Sequence, residues 1–109
     1  MKAKIIATTM NDVQGRKVKE ILGVVRGNTV RSRNIFMNIA AAIKTIFGGE
    51  VETYTELITV AREEAFERMI REAEKLGADA VIAMRFETSE VISGVSEMLA
   101  YGTAVKLGN

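Results

Sequence analysis

Asp79-Ala80-Val81-Ile82-Ala83-Met84-Arg85-Phe86-Glu87 is the stretch on which the fold turns. Its alternation predicts a half-buried β-strand, with Ile82, Met84 and Phe86 on one face and Val81, Ala83, Arg85 and Glu87 on the other. Ser93-Gly94-Val95-Ser96 reads as a turn, and Met98 to Leu107 returns with Leu99, Tyr101, Thr103, Val105 and Leu107 on one parity. The other parity holds Ala100, Gly102 and Ala104, small enough for a helix backbone to lie close against it. A sheet face shaped to receive a helix is the nucleus of an α+β domain.

The helix that fits lies just upstream. Thr53-Tyr54-Thr55-Glu56 matches a capping box, in which a Thr side chain and a Glu carboxylate each satisfy an amide at a helix start. The helix runs to Leu76, with Gly77 as its cap. Ile58, Ala61, Ala65, Met69, Ala73 and Leu76 form its apolar stripe. Glu64 to Arg68 and Glu67 to Arg71 have the favourable i,i+4 order of exposed ion pairs. Arg62 projects between Met69 and Ala73, so it either snorkels outward or meets an acid across a contact.

At the N-terminal end, Ile5, Ile6 and Ala7 with Thr8 and Thr9 read as a short strand. It is stopped by the turn signals Asn11-Asp12 and Gln14-Gly15. Residues 16 to 31 read as a long bent strand or a hairpin, with a bulge near Gly23, where the apolar parity changes, and a break at Gly27-Asn28. A further helix is expected from Asn34, a good N-cap, to Phe47, with Gly48 ending it and Gly48-Gly49 forming a turn. The order is β-β-α-α-β-β, a mostly antiparallel sheet packed by two helices in a single domain over residues 1–109.

Composition narrows the chemistry. The 109 residues include no Cys, His, Pro or Trp. A disulfide, a thiolate or imidazole metal site and any Cys- or His-based catalysis are therefore excluded. No apolar run approaches a membrane span and the N-terminus lacks a signal-peptide pattern, which predicts a soluble cytoplasmic protein. The net charge of +1 hides an asymmetry: residues 1 to 33 carry eight bases and two acids, and residues 34 to 109 carry seven bases and twelve acids. Residues 1 to 33 contain no aromatic residue, so complementary surfaces are favoured over a nucleic-acid interface.

The expected helix from Asn34 to Phe47 carries one charge, Lys44, among fourteen residues. Ile35, Phe36, Ile39, Ile43, Ile46 and Phe47 form its buried face. The opposite face, with Met37, Asn38, Ala41, Lys44 and Thr45, is too neutral for a helix bathed in water, which predicts that a second surface covers it. Met37, Asn38, Ala41 and Thr45, together with Arg62, are the expected contacts between copies of the chain.

Taken in order along nearly the whole chain, several motifs resemble the YbjQ-like family of small bacterial and archaeal proteins, often labelled heavy-metal-binding. They are Thr8-Thr9, Leu22-Gly23, Gly27, Asn34-Ile35-Phe36, Gly48-Gly49, Tyr54, Leu57, Ala61-Arg62, Ala65, Leu76-Gly77-Ala78 and Gly102-Thr103-Ala104-Val105. The resemblance implies a dodecin-like subunit in a ring-shaped homopentamer and supplies no catalytic residues. The chain departs from the family's label in having no thiol or imidazole for a soft ion. It departs from the family's pattern in having Met37-Asn38 where an acid is common.

Candidate site residues are weighed against plainer roles. Glu87, Glu90 and Glu97 flank the last hairpin and would suit a hard, oxygen-ligated ion such as Ca²⁺ or Mg²⁺, or simply solubilise a turn. Met84 and Met98 read as core filling rather than thioether ligands. Arg31 and Arg33 precede the Asn34 helix start, where they would bind an anion or pair with the acidic second helix. Glu63-Glu64 point in different directions on an exposed face and make no acid/base pair. The leading expectation is a non-catalytic homo-oligomeric ring that binds a small ligand or ion. The alternative is an enzyme whose site is assembled between subunits, through groups such as Tyr54, Arg62 and Tyr101.

Overall fold

The computed structural model describes residues 4–32, 51–92 and 95–109. Along these residues run β1 (Ile6–Ala7), β2 (Val18–Ser32), α1 (Val51–Lys75), β3 (Ala80–Ile92) and β4 (Val95–Leu107). The sheet order is β1-β3-β4-β2. β1 runs parallel to β3, and the β3–β4 and β2–β4 pairs are antiparallel. The α+β class and the mostly antiparallel sheet are as expected. The helix expected from Asn34 to Phe47, with its buried residues and with Met37, Asn38, Ala41 and Thr45, lies outside the described residues, as do Arg33 and the Gly48-Gly49 turn.

α1 packs on one sheet face through small residues. Ala65, Met69 and Ala73 are fully buried against Val25, Val81, Met84, Ala100 and Ala104. Gly102 is buried as well, so the small parity of β4 is the helix-facing one. Ala61 continues the buried stripe, whereas Ile58 and Leu76 at its two ends are 45% exposed. Phe66 and Ile70 cover the flank, and the Phe66 ring meets Phe86 at a centroid separation of 6.5 Å. Met69 is the largest fully buried side chain among the described residues, and its burial stabilises the layer by roughly 1.5–3 kcal/mol.

Gly27 shows how close the layers are. A Cβ there would collide with the Ala65 carbonyl oxygen and the Met69 main-chain nitrogen, so only glycine lets the helix backbone sit on the strand. The expected break at Gly27-Asn28 is absent; β2 continues from Val18 to Ser32, and the glycine admits α1 instead of ending a strand. The bend at Gly23 is present, with φ +135° and a register shift between Ile21 and Gly23.

β3 departs from the clean alternation expected of it. Its pairing with β4 shifts between Ile82 and Arg85, and Ala83 there has φ +53°. The extra residue places Val81, Met84 and Phe86 on the helix side and Ile82 with Arg85 on the other. The bulged amides are satisfied from the N-terminal segment: Ala83 N–H donates to the Met10 carbonyl at 2.7 Å and Met84 N–H to the Thr8 carbonyl at 3.0 Å.

The same N-terminal segment covers part of the second sheet face. Val13 packs with Ile82 on Ala80, Val105 and Leu107. The Val13–Arg16 turn closes with Arg16 N–H donating to the Val13 carbonyl at 3.1 Å, and Gly15 supplies the φ of +81° that this turn needs. Two local boundaries differ from expectation. α1 starts at Val51, so Thr53-Tyr54-Thr55-Glu56 lies inside the helix instead of capping it. β4 starts at Val95, so Val95 and Ser96 belong to the strand and not to the turn. At the other end Gly77, with φ +74°, follows the helix as expected.

Candidate functional site

Strand register decides where the three glutamates go. Glu87 pairs with Leu99 and Glu97 with Ser89, which sets both on the sheet face away from α1. Glu90 pairs with Ser96 on the helix side, so the sheet separates it from the other two. Each of the first two carboxylates has its own partner: Tyr101 Oη donates to Glu87 Oε1 at 3.3 Å, and Asn28 Nδ2 donates to Glu97 Oε2 at 3.0 Å. Among the described residues no three carboxylates gather as metal ligands.

On that face Tyr101 stands between two arginines, with Arg26 of β2 directly opposite on one side and Arg85 of β3 on the other. Arg85 is tied down, its Nη1 donating to the Thr9 carbonyl at 2.9 Å and the Met84 carbonyl at 2.8 Å. Arg26 is exposed at the sheet edge.

A concavity lies where α1 crosses the β2 edge. It has a volume of about 280 Å³ and is lined by Arg26, Gly27, Asn28, Arg68, Arg71, Glu72 and Lys75. Arg68 is fixed in its wall: Nη1 donates to the Asn28 carbonyl and Nη2 to Glu64 Oε1, each at 2.6 Å. Lys75 meets Glu72 at 3.1 Å, while Arg71 and Glu67 are only loosely paired at 3.8 Å, both about two-thirds exposed. Arg68, Arg71 and Lys75 thus bring three cations to the helix wall, answered by Glu64, Glu67 and Glu72, while the register of β2 sets the Arg26 side chain on the other sheet face. Sequence reasoning treats Arg68 and Arg71 only as exposed i,i+4 pairs; the 68, 71, 75 spacing on one helix face was the available signal.

The remaining candidates are less informative. Arg62 turns outward and donates from Nη2 to Thr59 Oγ1 at 3.3 Å on its own helix, which is the snorkelling alternative within one chain. Met84 is buried in the core, and Met98 packs partly buried against it. Tyr54 lies in α1 and Arg31 in β2. Thr29 Oγ1 is buried between sheet and helix with no hydrogen-bond partner among the described residues.

Among the described residues no three carboxylates, thiols or imidazoles gather to hold a heavy-metal ion. The sequence has no thiol or imidazole, and the two thioethers named above serve the core.

Comparison with known proteins places this geometry. The family model described as "Putative heavy-metal-binding" (YbjQ) matches residues 5–108. A UPF0145 protein of Thermotoga petrophila is 60% identical over 103 residues, covering 94% of this chain and 97% of its own. A UPF0145 protein of Archaeoglobus fulgidus is 56% identical over 107 residues, covering 98% and 99%. A crystal structure of a protein of unknown function from Pediococcus pentosaceus, of the DUF74 family, superposes with a TM-score of 0.62 at 17% identity over 95% of this chain and 98% of that one. That likeness concerns the fold alone. With the match running from the first strand to the last, the chain belongs to the YbjQ (UPF0145) family.

Proposed function

We propose that this protein is a non-catalytic, self-assembling binding subunit: a cytoplasmic homo-oligomeric ring, of five copies as the family resemblance implies, that takes up a small ligand or ion. One observation carries the assembly. β2 is an edge strand among the described residues, and it presents Val18, Ile21 and Val24 to solvent, the last two 69% and 75% exposed. Left open, such an edge invites pairing with any other strand, and covering each aliphatic side chain is worth roughly 1.5–3 kcal/mol. A second copy of the chain is the occupant always at hand. The elongated outline, 52 × 29 × 23 Å with a radius of gyration of 16.9 Å against roughly 13 Å for a compact 100-residue domain, also suits a subunit that completes its packing with neighbours.

In this reading Met37, Asn38, Ala41 and Thr45 with Arg62 supply further inter-subunit contacts. If the ligand is an ion it is a hard one, held by Glu87, Glu90 or Glu97 contributed by several copies, because one copy does not gather them. Sedimentation velocity at micromolar concentration is expected to give a multiple of 11.9 kDa; a single particle of that mass would overturn the proposal. Native mass spectrometry of gently purified protein then tests the binding half, retained extra mass supporting it and a clean apo oligomer counting against it.

A further inference from the structure

We infer that copies of this chain join head to tail, the open edge of β2 in one copy adding to the outer edge of β3 in the next. The inference rests on the assembly proposed above and names the strand that fills its open edge.

Two edges lack a neighbouring strand among the described residues. β2 pairs with β4 and with nothing on its other side. Its open stretch runs from Val18 to Gly27, ahead of Asn28, whose carbonyl is taken by Arg68. β3 has β4 on one side; on the other, β1 pairs no further than Val81, and Thr8 and Met10 reach no further than Met84. From Phe86 to Glu90 the outer side of β3 has no strand beside it, and all five residues are exposed. The sequence has no proline to blunt either edge. Rows of main-chain donors and acceptors left this way are a template for an added strand, and joining the two edges satisfies both at once.

Charge decides which edge meets which. β2 carries Lys19, Arg26 and Arg31 against Glu20 alone. From Phe86 to Ile92, β3 carries Glu87 and Glu90 and no base. Its one arginine, Arg85, is turned onto the Thr9 and Met84 carbonyls. A two-fold pairing of β2 with β2 would set a basic strand against its own copy, and β3 with β3 an acidic strand against its own. Pairing β2 with β3 sets unlike charges together. Arg26 and Glu87 lie on the same sheet face, the one away from α1, so a sheet continued across the seam brings them to one surface. The basic surplus of residues 1 to 33 and the acidic surplus of the rest thereby meet between copies.

Direction agrees with a ring. β2 and β3 both run antiparallel to β4, so they point the same way. A rotation that carries one sheet edge to edge onto the next keeps that sense, which makes the new ladder parallel. Unlike edges meeting head to tail generate a ring where the rotation closes, whereas an edge meeting itself stops at a pair.

The test is cross-linking, in a chain that has no cysteine of its own. Val24→Cys and Ser89→Cys put one thiol on each edge, on the same sheet face. Within one chain the two positions are about 20 Å apart, because Val24 is level with Thr103 and Ser89 with Glu97, six residues along β4. A short bis-maleimide cannot span that distance, so a cross-link reports neighbouring copies. The double variant is expected to give a ladder of covalent multimers, each single variant none, and the two single variants co-expressed a covalent dimer only. A covalent dimer from Val24→Cys alone would place β2 against β2 and overturn the inference; one from Ser89→Cys alone would place β3 against β3 and do the same. No cross-link in the double variant, with sedimentation still giving a multiple of 11.9 kDa, would overturn the head-to-tail seam and leave the assembly standing. A parent chain that sediments as a single copy would overturn both. If Val24→Cys fails to fold or assemble, Arg26→Cys combined with Ser89→Cys must give the same ladder, and its absence overturns the inference equally.

Discussion

The main-chain N–H of Ala83 is held by the carbonyl of Met10 at 2.7 Å, and this bond pins the N-terminal segment to the bulge between Ile82 and Arg85, where β3 loses its register with β4. Ala83 sits at φ +53°, in the left-handed region, where a Cβ costs on the order of 1 kcal/mol. Ala83→Gly should therefore be neutral or stabilise by up to about 1 kcal/mol, and Ala83→Val should destabilise by roughly 1–3 kcal/mol. Urea unfolding decides it: a glycine variant clearly less stable than the parent would contradict the left-handed assignment.

Gly27→Ala forces a methyl group into the backbone of α1 at Ala65 and Met69. Backbone yields less readily than side chains, so a loss of at least about 3 kcal/mol is expected, at the upper end of overpacking costs. A thermal midpoint within a degree or two of the parent would mean that helix and strand are not in contact there.

Asp79 Oδ2 accepts the Leu107 N–H at 2.9 Å, joining the start of β3 to the end of β4. Asp79→Ala orphans that amide and should cost about 1–3 kcal/mol, with hydrogen exchange at Leu107 speeding up more than at Val81. Uniform acceleration at both amides would show that the effect is not local.

Val24→Asp places a charge at a position exposed in the single chain but covered in the proposed assembly. Circular dichroism should change little, while light scattering should report dissociation. An unaltered oligomer would remove the β2 edge from the interface.

What the sequence disclosed depended on contrast between neighbouring residues. In β4, Ala100, Gly102 and Ala104 alternate with bulky residues, so the helix-facing parity is plain in the letters. In β3, Val81, Ile82, Ala83 and Met84 are all apolar, and an inserted residue leaves no mark on such a run. Gly27 was ambiguous for a different reason: a glycine that interrupts a strand and one that admits a neighbouring backbone look alike until the neighbour is in place. Thr53 and Glu56 match a capping box wherever they stand, and only the earlier start at Val51 disqualifies them. Glu87, Glu90 and Glu97 sit close in sequence, yet register divides them between two faces. The concavity beside Gly27 was the least legible feature, because its strand and helix walls are remote from each other in sequence.

The absent side chain at Gly27 also limits how the protein can respond to anything it binds. With the Ala65 carbonyl and the Met69 amide seated on the strand, α1 has no clearance to slide along β2 without losing that fit. Shear between the two layers is therefore closed off, and any rearrangement must rotate helix and strand together as one rigid lever.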